Sequence, residues 1–597
     1  MIWRYAKLLA ELLRESWRHY PFATAGLLAV KAAAAGMTPA MALVLRAAID
    51  GIIRGDRRAA VIGAVGAAVA FAANMYLRDL GRVLDKMLVD RLGAIHVRPR
   101  IERELAQLDG LDHLERTDLL DRVTVLRGAG WRLSVSLWTA VAAVFDVVKL
   151  GLLLVLLGTA VTPWLLLLLP FAAAPLWFAH RGGRLVSQAE IDTAEAFRLQ
   201  RHLFNLAIGP GGGKEIRVAG AGEEIARRQG QAWTEAMHGR YRARVRATAW
   251  ELAGWALFTA GFGAGLALVL YRTAHGHSTV GDLVLAITVS VSLRDSFQAA
   301  LFAVNESLVG RTLVEPYVWL RDYAAAAHRP GDRSAPATLR DGITLDRVSF
   351  TYPGVERPAL DQVSCDLPAG SVVAIVGEYG SGKTTLVKLL SKLYRPDTGQ
   401  IFVDGTDLAD LATEGWRARC SAAFQDFGRF QIRFGDTVGI GDLPHRDDDG
   451  RVLDAVRAAD ATPLVERLPH GLDTQLGRTF DGVELSEGQW QKTALARASM
   501  RAEPLLFMLD EPTASLDAPS EQAIFARYMK RARTLAARTG AITVIVSHRF
   551  STVAGADHIL VLDRGRLVEQ GTHQQLITAA GRYADLYSIQ ATAYATT

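Results

Sequence analysis

The sequence predicts an all-α membrane domain of six transmembrane helices followed by an α/β nucleotide-binding domain of the P-loop type. Three observations predict it. Long charge-poor runs fill roughly the first half of the 597 residues, short β-branched runs alternate with helical patterns after Ile343, and a glycine-rich loop sits between a strand and a helix. A chain of this length exceeds what one hydrophobic core sustains, so at least two domains are expected. The expected division is 1–322 for the membrane domain, 323–341 for a linker rich in Ala, Pro, Arg and Asp, and 342–597 for the second domain.

A bilayer core about 30 Å thick takes roughly twenty apolar residues as a helix. Runs of that length lie at Pro21–Ile49, Ala59–Leu80, Ser134–Thr159, Trp164–His180, Thr248–Tyr271 and Val280–Gly310. The polar stretch before them, with Arg4, Lys7, Arg14 and Arg18, reads as an amphipathic elbow helix on the membrane surface; it lacks the pattern of a cleavable signal. Arginines crowd the segments Arg82–Arg132 and Arg181–Arg246, which places both on the cytoplasmic side, although Arg54, Arg57 and Arg58 run against that rule. Helical periodicity in these segments extends the membrane helices into the cytosol, with short loops at their tips.

The net charge of +5 and the pI near 9.1 come from these juxtamembrane arginines. No stripe of interleaved aromatic and basic residues exists, so the expected partner is membrane lipid and not nucleic acid. Cys365 and Cys420 form no CxxC pair and no metal-ligand spacing, which argues against a disulfide framework or a zinc site and fits a reduced cytosolic compartment for the second domain.

In that domain Val372–Val376, Leu505–Leu509 and Thr543–Val546 read as strands of a parallel sheet, on which ligands bind at the carboxyl ends. Directly after the first comes the phosphate loop, with Gly377, Gly380, Ser381, Gly382, Lys383, Thr384 and Thr385, and then an apolar helix. The glycines let backbone amides curl around phosphate oxygens, and the helix N-terminus adds partial positive charge. Lys383 is expected to reach the β- and γ-phosphates and Thr384 to ligate Mg²⁺. The second strand delivers Asp510 and Glu511, a Walker B pair in which Asp510 holds Mg²⁺ through water and Glu511 polarises the attacking water. ATP and Mg²⁺ are the expected cofactors.

Between loop and second strand stands Leu485-Ser486-Glu487-Gly488-Gln489, which resembles the LSGGQ signature of the ABC transporter family. With six helices and long cytoplasmic extensions, the whole chain resembles a type I, or type IV, exporter half-transporter. The resemblance implies nucleotide contacts at Ser486, Gly488 and Gln489, adenine stacking on Tyr352, and a D-loop at Asp517. It also implies that Gln425 senses Mg²⁺, so that Thr384, Gln425 and Asp510 form the metal set, and that His548 contacts the γ-phosphate, so that Glu511, His548 and Gln425 form the catalytic set. Glu487 departs from the usual glycine. If Ser486 caps the following helix, Gln489 completes a capping box and the turn survives. A carboxylate about 8 Å from a γ-phosphate would cost roughly 2 kcal/mol per unit charge at an effective dielectric near 20, so Glu487 must point away or closure weakens.

The family closes ATP between the phosphate loop of one domain and the signature of another, and this chain holds one of each. A homodimer is therefore expected, with a related half-transporter as the other possible partner. By resemblance, short helices near Asp112–Asp121 and His202–Gly211 rest on the nucleotide domains, and Lys214-Glu215-Ile216-Arg217 matches a string found in peptide and lipid exporters. Phe424–Phe430 and Phe480–Glu484 resemble exporters of lantibiotics and lasso peptides, so the expected function is ATP-driven export of an amphipathic substrate, a modified peptide, by alternating access. The alternative is a multidrug or lipid exporter or flippase acting on a small molecule or lipid. No protease domain precedes the first helix, so a leader would be cut elsewhere. Glu511 argues against an ATP-gated protein that does not hydrolyse, and the apolar runs argue against the soluble relatives that act on ribosomes or DNA. Lys31, Asp146, Lys149, Glu251, Arg294, Asp295 and Glu306 are the ionisable residues in the apolar runs; Asp146 and Lys149 are spaced to pair on one helix. Trp255, Phe258 and Phe262 could line an amphiphile cavity.

Overall fold

The computed structural model describes residues 2–327, 331–512, 518–547 and 553–595. They form two compact units, one of Met1–Ala106 with Arg122–Arg321 and one of Gln107–Asp121 with Asp322–Thr597.

The first unit is helical. Helix α1 (Ile2–His19) buries Leu8 and Leu12 and exposes Trp3 and Trp17, the two-sided pattern of a helix lying at an interface. Pro21 at the first position of α2 (Pro21–Ile53) starts the next helix where a missing N–H costs nothing. The Asp56 carboxylate then caps α3 (Arg57–Arg91), accepting the amides of Arg58 and Ala59 at 3.0 and 3.1 Å. Helix α3 runs through a π-helical turn, Leu92–Val97, into α4 (Arg98–Ala106). After α5 (Asp112–Glu115) and the start of α6 (Thr117–Leu126), which belong to the second unit, come α7 (Ala129–Ala160), α8 (Leu169–Asp192), α9 (Ala194–Ile208), α10 (Pro210–Val218), α11 (Gly222–Ala274) and α12 (Val280–Ala327). Small residues let two helices approach closely: a Cβ on Gly63 would stand 2.6 Å from Ala48 Cα, so α2 and α3 touch backbone to backbone.

Among the described residues, four helical stretches are long and apolar enough to cross a membrane, Pro21–Ile53, Arg57–Ala106, Ala129–Ala160 and Gly222–Ala274. Only 11 to 28% of each apolar window is buried, which leaves the lipid-facing surface such helices need. The other two predicted runs lie on α8 and α12, where several side chains fall outside the described set. At 1.5 Å per residue α11 is about 80 Å long, more than twice the bilayer core, so it continues far past the membrane. One boundary differs from the sequence reading. Helix α12 runs on to Ala327, so the start of the expected linker is helical, because its alanines are the strongest helix formers.

The second unit is α/β. Strands β1 (Gly342–Phe350) and β2 (Leu360–Pro368) pair antiparallel and precede β3 (Val372–Val376) and α13 (Lys383–Leu390). Strands β4 (Thr398–Val403) and β5 (Thr406–Asp407) complete a four-stranded sheet of order β2-β1-β4-β5. After α14 (Thr413–Arg417) come β6 (Cys420–Ala423), α15 (Phe434–Gly439), α16 (Asp449–Ala458), α17 (Thr462–Arg467), α18 (Glu487–Ala498), β7 (Leu506–Asp510), α19 (Ala518–Thr539), β8 (Ile542–Val546), β9 (His558–Asp563) and β10 (Arg566–Gly571). Helices α20 (His573–Thr578) and α21 (Arg582–Ala595) end the chain. The larger sheet has order β10-β9-β3-β8-β7-β6, parallel except at β10. Every residue of β3, β7 and β8 is buried, which is why these strands read as continuous apolar runs and not as alternation.

The stretch Gln107–Asp121 packs into this unit and not with the helices that flank it in sequence. Leu111 lies against the α/β core, Arg417 donates to the carbonyls of Lys392 at 2.8 Å and of Asp109, and Lys388 stands 3.6 Å from Glu115. The second expected docking tip, His202–Gly211, is the end of α9 and the start of α10, broken at Gly209.

Candidate functional site

Strands β3 and β7 are separated in the sheet only by β8, and their carboxyl ends deliver the phosphate loop and the acidic pair side by side. The loop needs its glycines. Gly377 has φ +151° and a Cβ there would meet Leu562 O at 2.1 Å; Gly382 is left-handed at φ +102° and a Cβ there would meet Ala359 O at 2.5 Å. The Lys383 ammonium folds over the loop, donating to the carbonyls of Gly377 at 2.9 Å and Glu378 at 2.8 Å, with the buried Ser381 hydroxyl at 3.5 Å. Gly380 is left-handed at φ +77°, and Tyr379 beside it is fully exposed.

Thr384 donates its hydroxyl to Asp510 Oδ2 at 2.8 Å, across 126 positions of sequence. The other oxygen, Asp510 Oδ1, is buried and accepts no hydrogen bond from any described residue. Burial first, and then the neighbouring Glu511 carboxylate, push the Asp510 carboxyl up to about 6, against the opposing pull of the Thr384 hydroxyl and the Lys383 charge. A hydroxyl and an orphaned carboxylate oxygen side by side are hard oxygen donors of the kind that hold Mg²⁺, an ion that takes few protein ligands and completes its shell with water and phosphate. Burial likewise lowers the Lys383 ammonium, while Glu511 and Asp510 hold it up.

Glu511 sits in the left-handed region at φ +49°, rare for a residue with a side chain. Its amide is fixed on Val546 O at 3.0 Å, Gln425 donates to its carboxylate at 2.9 Å, and Gln491 donates to its carbonyl at 3.3 Å. Gln425 therefore meets the predicted catalytic carboxylate from across the site, and Gln491 ties α18 to the end of β7. Strand β7 ends on Asp510, one residue later than the sequence reading placed it.

Tyr352 is half-buried against Phe350 and Tyr394, with Lys388 Nζ 5.6 Å from its ring centroid. Its hydroxyl shares a 3.1 Å hydrogen bond with Thr385, whose side chain is buried, so Thr385 braces Tyr352. At the signature, Ser486 Oγ accepts the Gln489 amide at 3.4 Å and Gln489 Oε1 accepts the Ser486 amide at 2.8 Å, a complete capping box at the start of α18, with Gly488 in the first turn. Glu487 turns aside to pair with Arg429. Asp517 and His548 lie outside the described residues. No motif in the sequence marks the contacts of Arg429 and Arg497, because Glu487, the partner of Arg429, stands 58 positions away.

A second feature lies in the helical unit. A cavity of about 370 Å³ is lined by Lys31, Asn74, Arg78, Asp146, Lys149 and Asp295, among others. Asp146 and Lys149 pair at 2.9 Å, and Lys31 lies 3.8 Å from Asp85. The buried Asn74 Oδ1 accepts no hydrogen bond from any described residue. Phe258 and Phe262 line a separate apolar pocket of about 50 Å³.

Residues 360–514 match the ABC transporter family model. An ATP-dependent lipid A-core flippase of Chromobacterium violaceum is 36% identical over 334 residues, 54% of this chain and 54% of that protein. Flippases of the same name from Haemophilus ducreyi and Methylococcus capsulatus are 39% and 41% identical over 248 and 251 residues, 42% of this chain and 41% and 40% of theirs. The chain thus spans about half the length of the curated relatives it matches. Over 96% of this chain and 98% of the other, the fold superposes with a TM-score of 0.78 on a bacterial Atm1-family ABC exporter with ATP bound, at 24% identity. Residues 360–514 are an ABC transporter domain, and the chain that carries them is a multi-pass membrane protein with the fold of an ABC exporter.

Proposed function

We propose that this protein is an ATP-driven exporter that moves a lipid-like amphiphile across the cytoplasmic membrane by alternating access, as a dimer of two such chains. The observation that carries the reading is the meeting of Lys383, Thr384, Asp510, Glu511 and Gln425 at the carboxyl ends of β3 and β7, in a chain with membrane-length helices.

In this reading the loop amides and Lys383 hold the triphosphate, exchanging the loop's own carbonyls for phosphate oxygens. Thr384 and Asp510 would hold Mg²⁺, which would supply positive charge to the phosphates. Glu511, held in place by Gln425 and Val546, orients and polarises the attacking water. Tyr352 receives the adenine, and the capped signature turn of the partner chain, with Ser486, Gly488 and Gln489, covers the γ-phosphate. Asp517 and His548 take the D-loop and γ-phosphate contacts that the family resemblance gives them. The stretch Gln107–Asp121, seated on Arg417 and Lys388, passes the change in the nucleotide domain back to the chain entering the membrane helices.

For the cargo, the polar cavity supports an amphiphile whose head is charged. Lys31, Arg78 and Lys149 meet Asp146 and Asp295 there, with Asp85 beside Lys31, so charges of both signs line the cavity, and Asn74 offers an acceptor unpaired among the described residues. The relatives named above are lipid A-core flippases, which favours a lipid over a modified peptide or a small drug. The test is ATP hydrolysis by the protein in lipid vesicles beside Glu511→Gln, with transbilayer movement of a fluorescent anionic lipid and uptake of an amphipathic peptide measured in parallel. Hydrolysis should fall at least about 100-fold in the variant, and lipid movement should require ATP. Peptide uptake without lipid movement would overturn the lipid assignment, and no hydrolysis by the wild type would overturn the engine.

A further inference from the structure

We infer that Arg429 is a positioning residue for the nucleotide site: it draws the Glu487 carboxylate away from the phosphate-facing end of α18 and cancels its charge, so that a signature turn carrying an acid can still close on ATP. The inference rests on the proposed dimer, in which that turn faces the partner's nucleotide.

The physical problem is local. Glu487 is the first residue of α18, at the end where the helix dipole and free amides carry partial positive charge. That end is useful to a phosphate only while it stays positive. A carboxylate in the first turn stabilises the isolated helix, yet it also offsets the charge an incoming phosphate needs and repels it directly. The capping box fixes the backbone here through Ser486 and Gln489 and leaves the Glu487 side chain free to swing.

Arg429 removes that freedom. Its guanidinium pairs with the Glu487 carboxylate, both side chains being half-exposed. The loop that presents it is anchored to the same helix from the far end. Arg497, in the last turn of α18, donates to Gly428 O at 3.0 Å and stacks over the Phe430 ring at 4.5 Å. Burial holds the Arg497 guanidinium down at about 10, still charged at neutral pH. Gly428 and Phe430 flank Arg429, so the arginine stands on a segment gripped on both sides. The same segment begins just after Gln425, which donates to Glu511. Arg429 therefore links the acid at the signature to the loop that touches the catalytic carboxylate.

The test is a double-mutant cycle with Arg429→Ala, Glu487→Gly and the combined variant, plus Arg429→Lys, each in lipid. ATP hydrolysis is read as kcat and KM, and nucleotide-driven closure is read as ATP-dependent crosslinking between chains in a Glu511→Gln background. Arg429→Ala should lower kcat/KM about tenfold and reduce the crosslinked fraction, because the carboxylate is released toward the phosphate. Glu487→Gly alone should match or exceed wild type. The combined variant should return to within about twofold of Glu487→Gly, and Arg429→Lys should keep most activity, since the charge is retained. A merely structural Arg429 would give the same loss with or without Glu487, and that additivity would overturn the inference while leaving ATP-driven transport standing. A wild-type protein that neither hydrolyses ATP nor closes on it would overturn the functional reading and this one with it.

Discussion

Asp510 shows how one buried carboxylate can report on a whole site. Its oxygen Oδ2 is held by Thr384 and its oxygen Oδ1 has no described partner, and its carboxyl is raised to about 6. The sign follows from the raised value. Between the ordinary carboxylate range and pH 6 the folded protein binds a proton that the unfolded chain does not, so this group stabilises the metal-free fold at low pH and that contribution is lost as pH rises through 6. Mg²⁺ needs the ionised form, so its apparent affinity should fall about tenfold per pH unit below 6. Thermal melting with and without Mg²⁺ and ATP checks this: the stabilisation by ligand should shrink between pH 7 and 5, and Asp510→Asn should abolish the Mg²⁺-dependent part at every pH. A ligand-induced shift that is flat over this range would refute the assignment of Asp510 as the metal seat. Glu511 belongs to the same scale. A glutamate at φ +49° is held by its own amide on Val546 and by hydrogen bonds from Gln425 and Gln491, a framework that fixes the group proposed to polarise water.

Among the elements, the short stretch Gln107–Asp121 carries the clearest consequence. It leaves the helical unit in sequence and joins the α/β unit in space, held by Arg417 through the Asp109 carbonyl and by the 3.6 Å Lys388–Glu115 pair. Arg417 also donates to Lys392 O at 2.8 Å, so it stitches the stretch to the loop after α13, the helix that starts at the phosphate loop. Replacing Arg417 by alanine should speed amide exchange across 107–121 at least tenfold while β3 and β7 stay protected. In vesicles the same variant should hydrolyse ATP at a rate within a few-fold of wild type and lose most lipid movement, since the coupling and not the chemistry is cut. Unchanged exchange in 107–121 would show that its other contacts suffice. The capping box at α18 works on this scale too: it keeps the signature turn in shape although the third signature position is an acid, because two backbone amides find side-chain partners whatever Glu487 does.

At the scale of the whole molecule, the chain holds one phosphate loop and one signature on a body whose apolar helices are mostly unburied. The proposed dimer makes each ATP site from two chains, and a mixing experiment exposes that. Co-reconstituting wild type with Lys383→Ala in equal amounts should leave about a quarter of the activity if both sites must be intact, and about half if each site works alone. Wild-type specific activity that is unchanged when the protein is diluted to one chain per vesicle would mean that a single chain suffices.

The sequence by itself determined what depends on consecutive residues and on periodicity. The glycines and Lys383 of the phosphate loop are legible because a cradle of backbone amides must be built from neighbours in the chain. The apolar helices and the buried strands β3, β7 and β8 are legible because lipid and a doubly covered sheet each demand unbroken hydrophobic runs. The capping box is legible from Ser486 and Gln489 for the same local reason. Tertiary structure alone decided the rest. It set Thr384 on Asp510, turned Thr385 to Tyr352, drew 107–121 into the α/β unit, and paired Glu487 with Arg429. Each of these contacts joins residues at least 33 positions apart, as between Tyr352 and Thr385, or, for the stretch at Asp109 and Arg417, as many as 308. No spacing rule spans such distances, because what brings the partners together is the packing of the sheet and its helices and not the path of the chain between them.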